Sequence, residues 1–274
     1  MKLKYFGTAA WEGIPAIGCS CEVCSHAREV GGRNVRFRTQ ALIDDTFLID
    51  YPPEVVLYNY KFNLDYTKLK GCIISHSHSD HLSISQIELL KKGYAGDDRK
   101  EPFHFFVGED GYNKIKAIME DERMKGRADV TLIKPFEEFE FCGYRILPLP
   151  ATHAESSSPL IFLIEKEGKK LLWAHDTGIF KDEVYEAIFS EGKLDCISLD
   201  CCAGLLKNWR SHHLGLDTCR EVFDMLEAEN VLDYGSIKIV NHFSHNDKAS
   251  YDDLVANCEE DGIVVSYDGM EIEF

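Results

Sequence analysis

Short apolar runs bounded by polar turns set the rhythm of this chain. Apolar stretches of strand length recur at residues 3–6, 40–49, 72–74, 103–107, 130–133, 144–149, 160–164, 171–174, 196–199, 237–240 and 263–265. Some alternate and some are continuous, as half-buried and fully buried strands require. Apolar residues at helical spacing occupy 84–92, 111–120, 181–189 and 216–229. The last of these is entered near Asp217, an acid where a helix N-terminus favours negative charge. Strands and helices alternate, but the strands come in longer meanders than a doubly wound sheet needs. This predicts an α/β fold of two packed sheets with helices outside. Residues 93–100 and 166–169 are turn-rich and read as loops, no internal repeat is present, and a single domain over 1–274 is expected.

Composition narrows the picture. A hydrophobic content of 45% over 274 residues supports a full core. No run of about 18 apolar residues occurs, so no membrane-spanning helix is expected. The N-terminus, Met1-Lys2-Leu3-Lys4-Tyr5-Phe6-Gly7, lacks the apolar segment of a signal peptide, and a cytoplasmic location follows as the expectation. The net charge of −17 argues against coating nucleic acid or anionic membrane, which takes clustered Lys and Arg. It does not exclude a small anionic substrate, because bound divalent ions make a site locally positive. Of the ten cysteines, Cys72 and Cys196 lie in strand-like runs as small hydrophobes. Cys201 and Cys202 read as packing or loop residues. Cys19, Cys21 and Cys24 form a tight cluster, which in a cytosolic protein favours metal over disulfide.

The chemistry concentrates where the run 72–74 ends. Ser75-His76-Ser77-His78-Ser79-Asp80-His81 places three histidines and an aspartate within six residues. A strand end pins such a loop rigidly, and its alternating side chains then reach two neighbouring ions instead of one. A pair of ions needs more ligands than this loop offers. Further candidates stand at the ends of predicted strands: His153 after Leu149, Asp176 before Thr177-Gly178, and His242 after Val240. A common rim at the carboxyl ends of strands is expected. The stretch Cys19-Ser20-Cys21-Glu22-Val23-Cys24 brings three thiolates within reach of one further ion. A closed structural zinc site has four ligands. His245, three residues beyond His242, is the best candidate for the fourth, since His26 would close a very small ring.

In order and type these residues resemble the metallo-β-lactamase superfamily, and the resemblance spans nearly the whole chain. It implies an αββα sandwich, with His76, His78 and His153 on a first metal ion, Asp80, His81 and His242 on a second, and Asp176 bridging the two. The three-cysteine loop after Gly7-Thr8, together with the late His242-Phe243-Ser244-His245, is similar to the phosphodiesterases of the carbon–phosphorus lyase pathway. That likeness implies structural zinc on Cys19, Cys21, Cys24 and His245. It also implies a histidine beside the substrate as proton donor or phosphate contact. His213, directly before Leu214-Gly215-Leu216-Asp217, is the better match and His212 the fallback.

The remaining candidates are plainer. Arg210 can grip a phosphate bidentately. His175 should point away from Asp176 into the core, His104 reads as a strand residue, and Arg33, Arg36 and Arg38 read as a solvated basic face. The expectation is a dinuclear metal-dependent hydrolase, a phosphodiesterase acting on a small cyclic phosphate or similar diester through a metal-bridging hydroxide that Asp80 orients. Zinc, manganese or iron suits such ligands. Alternatives are a nuclease or a lactone or ester hydrolase of the same fold, or a non-catalytic metal-binding accessory protein of cofactor biosynthesis. The expected partner is a small anionic phosphodiester, without membrane or nucleic acid, and a two-fold dimer is the commonest assembly for such an enzyme.

Overall fold

A computed structural model describes residues 1–96 and 100–274. In chain order its strands are β1 (Lys2–Gly7), β2 (Gln40–Ile43), β3 (Phe47–Ile49), β4 (Gly71–Ile74), β5 (Phe103–Val107), β6 (Ala128–Leu132), β7 (Phe139–Phe141), β8 (Tyr144–Pro150), β9 (Leu160–Lys166), β10 (Lys169–Ala174), β11 (Cys196–Asp200), β12 (Ile237–Asn241), β13 (Ile263–Val265) and β14 (Glu271–Glu273). The helices are α1 (Glu22–Val30), α2 (Val55–Lys61), α3 (Ile84–Ile87), α4 (Glu109–Met119), α5 (Asp182–Ser190), α6 (Leu216–Ala228) and α7 (Tyr251–Cys258). The strands form two seven-stranded sheets, ordered β14-β1-β2-β3-β4-β5-β6 and β13-β12-β11-β10-β9-β8-β7.

The two-residue period of the strands explains the layering. In β10, Leu171 and Trp173 enter the core between the sheets while Leu172 and Ala174 face the outer helices, and Phe162 and Ile164 of β9 divide from Ile161 and Leu163 in the same way. Strands buried on both faces must be apolar throughout, which is why these segments read as continuous runs. Tyr5 of β1 stacks on Trp173 of β10 with ring centroids 5.7 Å apart and donates its hydroxyl to Ser198 Oγ at 2.8 Å, joining the sheets at their centre. Val55, Ile87 and Ile115 cover the outer face of the first sheet from α2, α3 and α4. Val23, Val184, Val222 and Leu254 cover the second from α1, α5, α6 and α7. The result is the αββα sandwich expected from the resemblance.

Strand direction then places the site. β3 to β6 are mutually parallel, as are β10 to β13. β8 is antiparallel to β9 and β9 to β10, so β8 runs in the direction of β10. The loops after β4, β8, β10, β11 and β12 therefore leave the sheets at their carboxyl edges.

Several elements differ from expectation. The run 40–49 is not one strand but the hairpin β2–β3, turned at Asp44 and Asp45, which both have positive φ (44° and 53°). The helix expected at 84–92 is only α3 followed by a 3-10 turn, Glu88–Leu90. Loop 166–169 narrows to the two residues Glu167 and Gly168, both at positive φ between paired Lys166 and Lys169, a tight turn matched to strand twist. Of loop 93–100, residues 97–99 lie outside the described residues, and Gly93 and Tyr94 form a turn. β7, β14, α1, α2 and α7 were not anticipated. Among the described residues no helix is long and apolar enough to cross a membrane.

Candidate metal-binding active site

His76, His78, Asp80 and His81 occupy the loop directly after β4. His153 follows β8, Asp176 follows β10, and His242 follows β12. Asp176 and His242 adopt positive φ (49° and 66°), as does Asp50 just beyond β3 (66°). Left-handed backbone at non-glycine residues costs about 1–3 kcal/mol each and persists where surrounding structure enforces it. Here it turns three side chains inward at the ends of strands.

The seven side chains converge. His76 Nε2 lies 2.9 Å from His78 Nδ1, and His153 Nε2 lies 3.4 Å from the same atom. Asp176 Oδ2 is 2.7 Å from His81 Nε2 and 2.9 Å from His242 Nε2, Asp176 Oδ1 is 3.6 Å from His153 Nε2, and Asp80 Oδ2 is 3.1 Å from His81 Nε2. Two nitrogens on one tetrahedral ion at ordinary bond lengths stand about 3.3 Å apart, so these spacings fit shared coordination. A second observation agrees. Asp80 Oδ1, His81 Nε2, Asp176 Oδ2 and His242 Nε2 are buried without a hydrogen-bond partner, whereas buried polar atoms are normally satisfied. Donor atoms left free and aimed at one another are what a divalent cation would satisfy.

Neighbouring groups set the state of each ligand. Burial holds the His76 imidazole well below its ordinary pKa, in the neutral form that offers a lone pair. His153 is likewise lowered by burial, and its Nδ1 lies 3.2 Å from the His212 carbonyl, so Nε2 is left for the site. Against the opposing effect of burial, His242 and His81 hold the Asp176 carboxylate well below the usual range. Asp50, fully buried, accepts from Ser75 N at 2.7 Å and from His81 Nδ1 at 2.7 Å, turning His81 Nε2 toward Asp80 and Asp176. Such partners of metal-ligating histidines fix tautomer and orientation. Sequence reasoning passed over Asp50; the signal was an acid closing the apolar run Phe47-Leu48-Ile49.

Asp200, at the end of β11, was also missed. Its carboxylate accepts from the backbone of Asp176 (3.0 Å), Cys202 (3.0 Å) and Leu214 (2.9 Å), and pairs with His213 Nδ1 at 3.0 Å. Burial would lower the His213 pKa, but Asp200 outweighs it and raises it. The ring of His213 stacks beside that of His242, 5.8 Å away and 15° from parallel. His212 is exposed and meets the site through its carbonyl. The loop carrying both histidines lies so close to Gly178 that a Cβ there would stand 2.3 Å from Arg210 O and 2.7 Å from the Ser211 backbone.

Cys19, Cys21, Cys24 and His245 also meet, their four donor atoms all within 4.8 Å of one another. His245 Nδ1 is 3.6 Å from Cys19 Sγ and 3.4 Å from Cys21 Sγ, close to the sulfur–nitrogen edge of about 3.5 Å in a tetrahedral zinc site. Burial pushes the isolated Cys24 thiol up to about 11, a state that a metal ion would reverse. On its far side His245 Nε2 faces Glu12 Oε1 at 3.6 Å. His26 is not part of this group.

Other candidates lie elsewhere. The Arg210 guanidinium is exposed and already paired, its Nη2 donating to both Glu221 carboxylate oxygens at 2.8 and 3.0 Å. Arg36 departs from the expected solvated face: it is buried, donating to Thr8 Oγ1 (2.8 Å) and Ser266 O (2.7 Å) over the Phe243 ring. Arg38 pairs with Glu54 at 2.7 Å, and Arg33 lies over Tyr267. His175 points into the core, bonded to Ser198 Oγ at 2.8 Å, and His104 is a β5 residue. Cys201 is core, whereas Cys202 brings its thiol near His213 and His242.

Comparison with known proteins places this fold. The family model for the β-lactamase superfamily domain matches residues 46–233. No curated protein matches the chain. Among solved structures, a diphosphatase from the PhnP family aligns with a TM-score of 0.72 at 20% identity, covering 100% of this chain and 97% of that one. Zn(2+)-bound PqqB from Methylobacterium extorquens aligns at 0.74 and 16% identity, with 100% of both chains covered. The short form of human tRNase Z aligns at 0.68 and 12% identity, covering 100% and 99%. At such identities the structural likeness establishes a shared fold.

Proposed function

This chain belongs to the metallo-β-lactamase superfamily, and from that premise we propose that it is a metal-dependent phosphodiesterase acting on a small cyclic phosphate or similar diester. The observation that carries this reading is the convergence of the seven candidate ligands beside His213, whose Nδ1 is held by Asp200. The juxtaposed Cys19, Cys21, Cys24 and His245 cluster and the likeness to a PhnP-family diphosphatase support it.

In this reading His76, His78 and His153 would hold one divalent ion and Asp80, His81 and His242 a second, with Asp176 shared between them, while Cys19, Cys21, Cys24 and His245 would hold structural zinc. Zinc, manganese or iron in the rim would lower the pKa of a water and polarise a phosphoryl oxygen. Asp80 accepts a hydrogen bond from the attacking water through its carboxylate and orients it. As the bond from phosphorus to the leaving oxygen breaks, His213 delivers its Nε2 proton to that oxygen, its Nδ1 being held by Asp200. Asp200 acts as a positioning residue. The substrate is a small anion met in the cytoplasm.

A second reading is a non-catalytic metal-binding protein, with the likeness to Zn(2+)-bound PqqB in support of metal binding. Hydrolysis of bis(p-nitrophenyl) phosphate by protein reloaded separately with manganese and zinc separates the two. Metal-dependent turnover, abolished in Asp80→Ala and His76→Ala variants that stay folded, is the expected result. Turnover of carboxyl esters or lactones but no diester, or no turnover at all, would overturn it.

A further inference from the structure

Trp11 stands 58% exposed in the turn after β1. Scattered exposed hydrophobics are ordinary on a protein surface, and Tyr234, fully exposed beside a turn, is one. Trp11 differs in its neighbour and in its mounting. Its indole lies 22° from parallel to the imidazole of His78, a rim ligand, with centroids 6.4 Å apart. The backbone beneath is strapped down from three directions. Ala10 N donates to Phe243 O at 2.9 Å, immediately beyond His242, and Ile14 and Arg36 exchange backbone hydrogen bonds at 2.9 and 2.7 Å. The Trp11 carbonyl accepts from Arg38 Nε. Next in sequence, Glu12 accepts from Ser244 Oγ and from Asn246 Nδ2 at 3.3 Å and faces His245 of the cysteine cluster. A large aromatic ring is thus carried on a tied-down backbone at the lip of the rim, with most of its surface still in water.

An exposed indole on a fixed backbone, next to a rim histidine, is suited to stacking a flat π-system. Aromatic rings pair in offset-parallel geometry, and every nucleobase offers such a face. Rigidity matters because an anchor already fixed loses little entropy on binding.

We propose that Trp11 is the platform on which a planar aromatic part of the substrate, such as a nucleobase, stacks while its phosphate sits at the rim. This rests on the phosphodiesterase reading and narrows its substrate class to phosphate esters carrying an aromatic ring. The cysteine cluster then gains a second role, since through Glu12 it fixes where that platform lies.

Calorimetric titration of metal-loaded protein with adenosine 5′-monophosphate and with ribose 5-phosphate tests this without requiring turnover. Wild type should bind the adenine-bearing probe roughly tenfold or more tightly. Trp11→Ala should bring the two within about twofold, while Trp11→Phe, which keeps a ring, should retain most of the preference. Tyr234→Ala, which removes an exposed ring remote from the rim, should leave the ratio unchanged. Equal affinity of wild type for both probes, or a preference that survives Trp11→Ala or vanishes in Tyr234→Ala, overturns the platform. The parallel diester assay separates the two ideas. Trp11-dependent preference without diester hydrolysis keeps the platform and sinks the phosphodiesterase; hydrolysis without that preference does the reverse.

Discussion

Asp50 and His213 show how differently single residues announce themselves. The candidate ligands were legible because a His-rich loop after an apolar run has few other uses, and because His153, Asp176 and His242 each follow a strand. Asp50 and Asp200 carry no such mark; an acid at a strand end is common, and only the fold shows four donors converging on one carboxylate. Their importance is testable. In Asp50→Asn the amide can still accept from Ser75 N but can no longer accept from His81 Nδ1 with full charge. Metal affinity at the rim should fall by about 10–100-fold, read by competitive metal titration; unchanged affinity would mean that His81 needs no such partner. His213 predicts a leaving-group effect. An alkoxide must be protonated as it departs, whereas p-nitrophenolate leaves readily as an anion. His213→Ala should therefore slow alkyl phosphodiesters by about 10²–10⁴-fold and p-nitrophenyl diesters far less. Equal losses on both would assign His213 to binding.

At the scale of elements, buried strands were readable and half-exposed ones were not. β7 and β14 have intermediate and exposed residues at most positions, so neither shows the apolar run that marks β9 or β11. α7 carried a signal that was overlooked: Ser250 Oγ accepts from Asp253 N while Asp253 Oδ2 accepts from Ser250 N, the reciprocal cap foreshadowed by Ser-x-x-Asp before apolar residues. α1 starts at Cys21, whose side chain makes no capping hydrogen bond; its start coincides with the cysteine cluster, not with a polar cap. The hairpin β2–β3 was hidden because both arms are fully buried, and only Asp44-Asp45 between them interrupts the run. The loop 201–215 carries His213, the proposed proton donor. Ile179 N donates to Arg210 O at 3.0 Å, and the missing side chain of Gly178 permits that approach. Gly178→Ala should push the loop outward, and a displacement of about 1 Å at a catalytic group can cost about 10²-fold in rate. A kcat lowered to that extent in a protein of unchanged thermal stability is the expected outcome. Full activity would show that the loop adapts without moving His213.

At the scale of the whole molecule the candidate ligands come from both sheets. His76, His78, Asp80 and His81 follow β4 of the first sheet, while His153, Asp176 and His242 follow strands of the second. An ion bound by His76, His78 and His153 would therefore join the sheets at their carboxyl edges, as the Tyr5–Trp173 stack joins them at the centre. Without cations, the rim and its supports hold Asp50, Asp80, Asp176 and Asp200 buried together in a chain of net charge −17. A ligand that binds only the folded state stabilises it by about 2.7 kcal/mol at a hundred times its dissociation constant. For a chain of this size that is a rise in melting temperature of roughly 5–10 °C. Manganese is the discriminating ion, because its preference for oxygen and nitrogen donors directs it to the rim and away from the three thiolates. Adding it to protein whose cysteine cluster retains zinc should produce that rise in wild type and little of it in Asp176→Ala, which lacks the carboxylate between the two ligand sets. An equal rise in both proteins would place the stabilising ion outside the rim, and no rise in either would leave the orphaned atoms of Asp80, His81 and His242 to be satisfied by something other than a divalent cation.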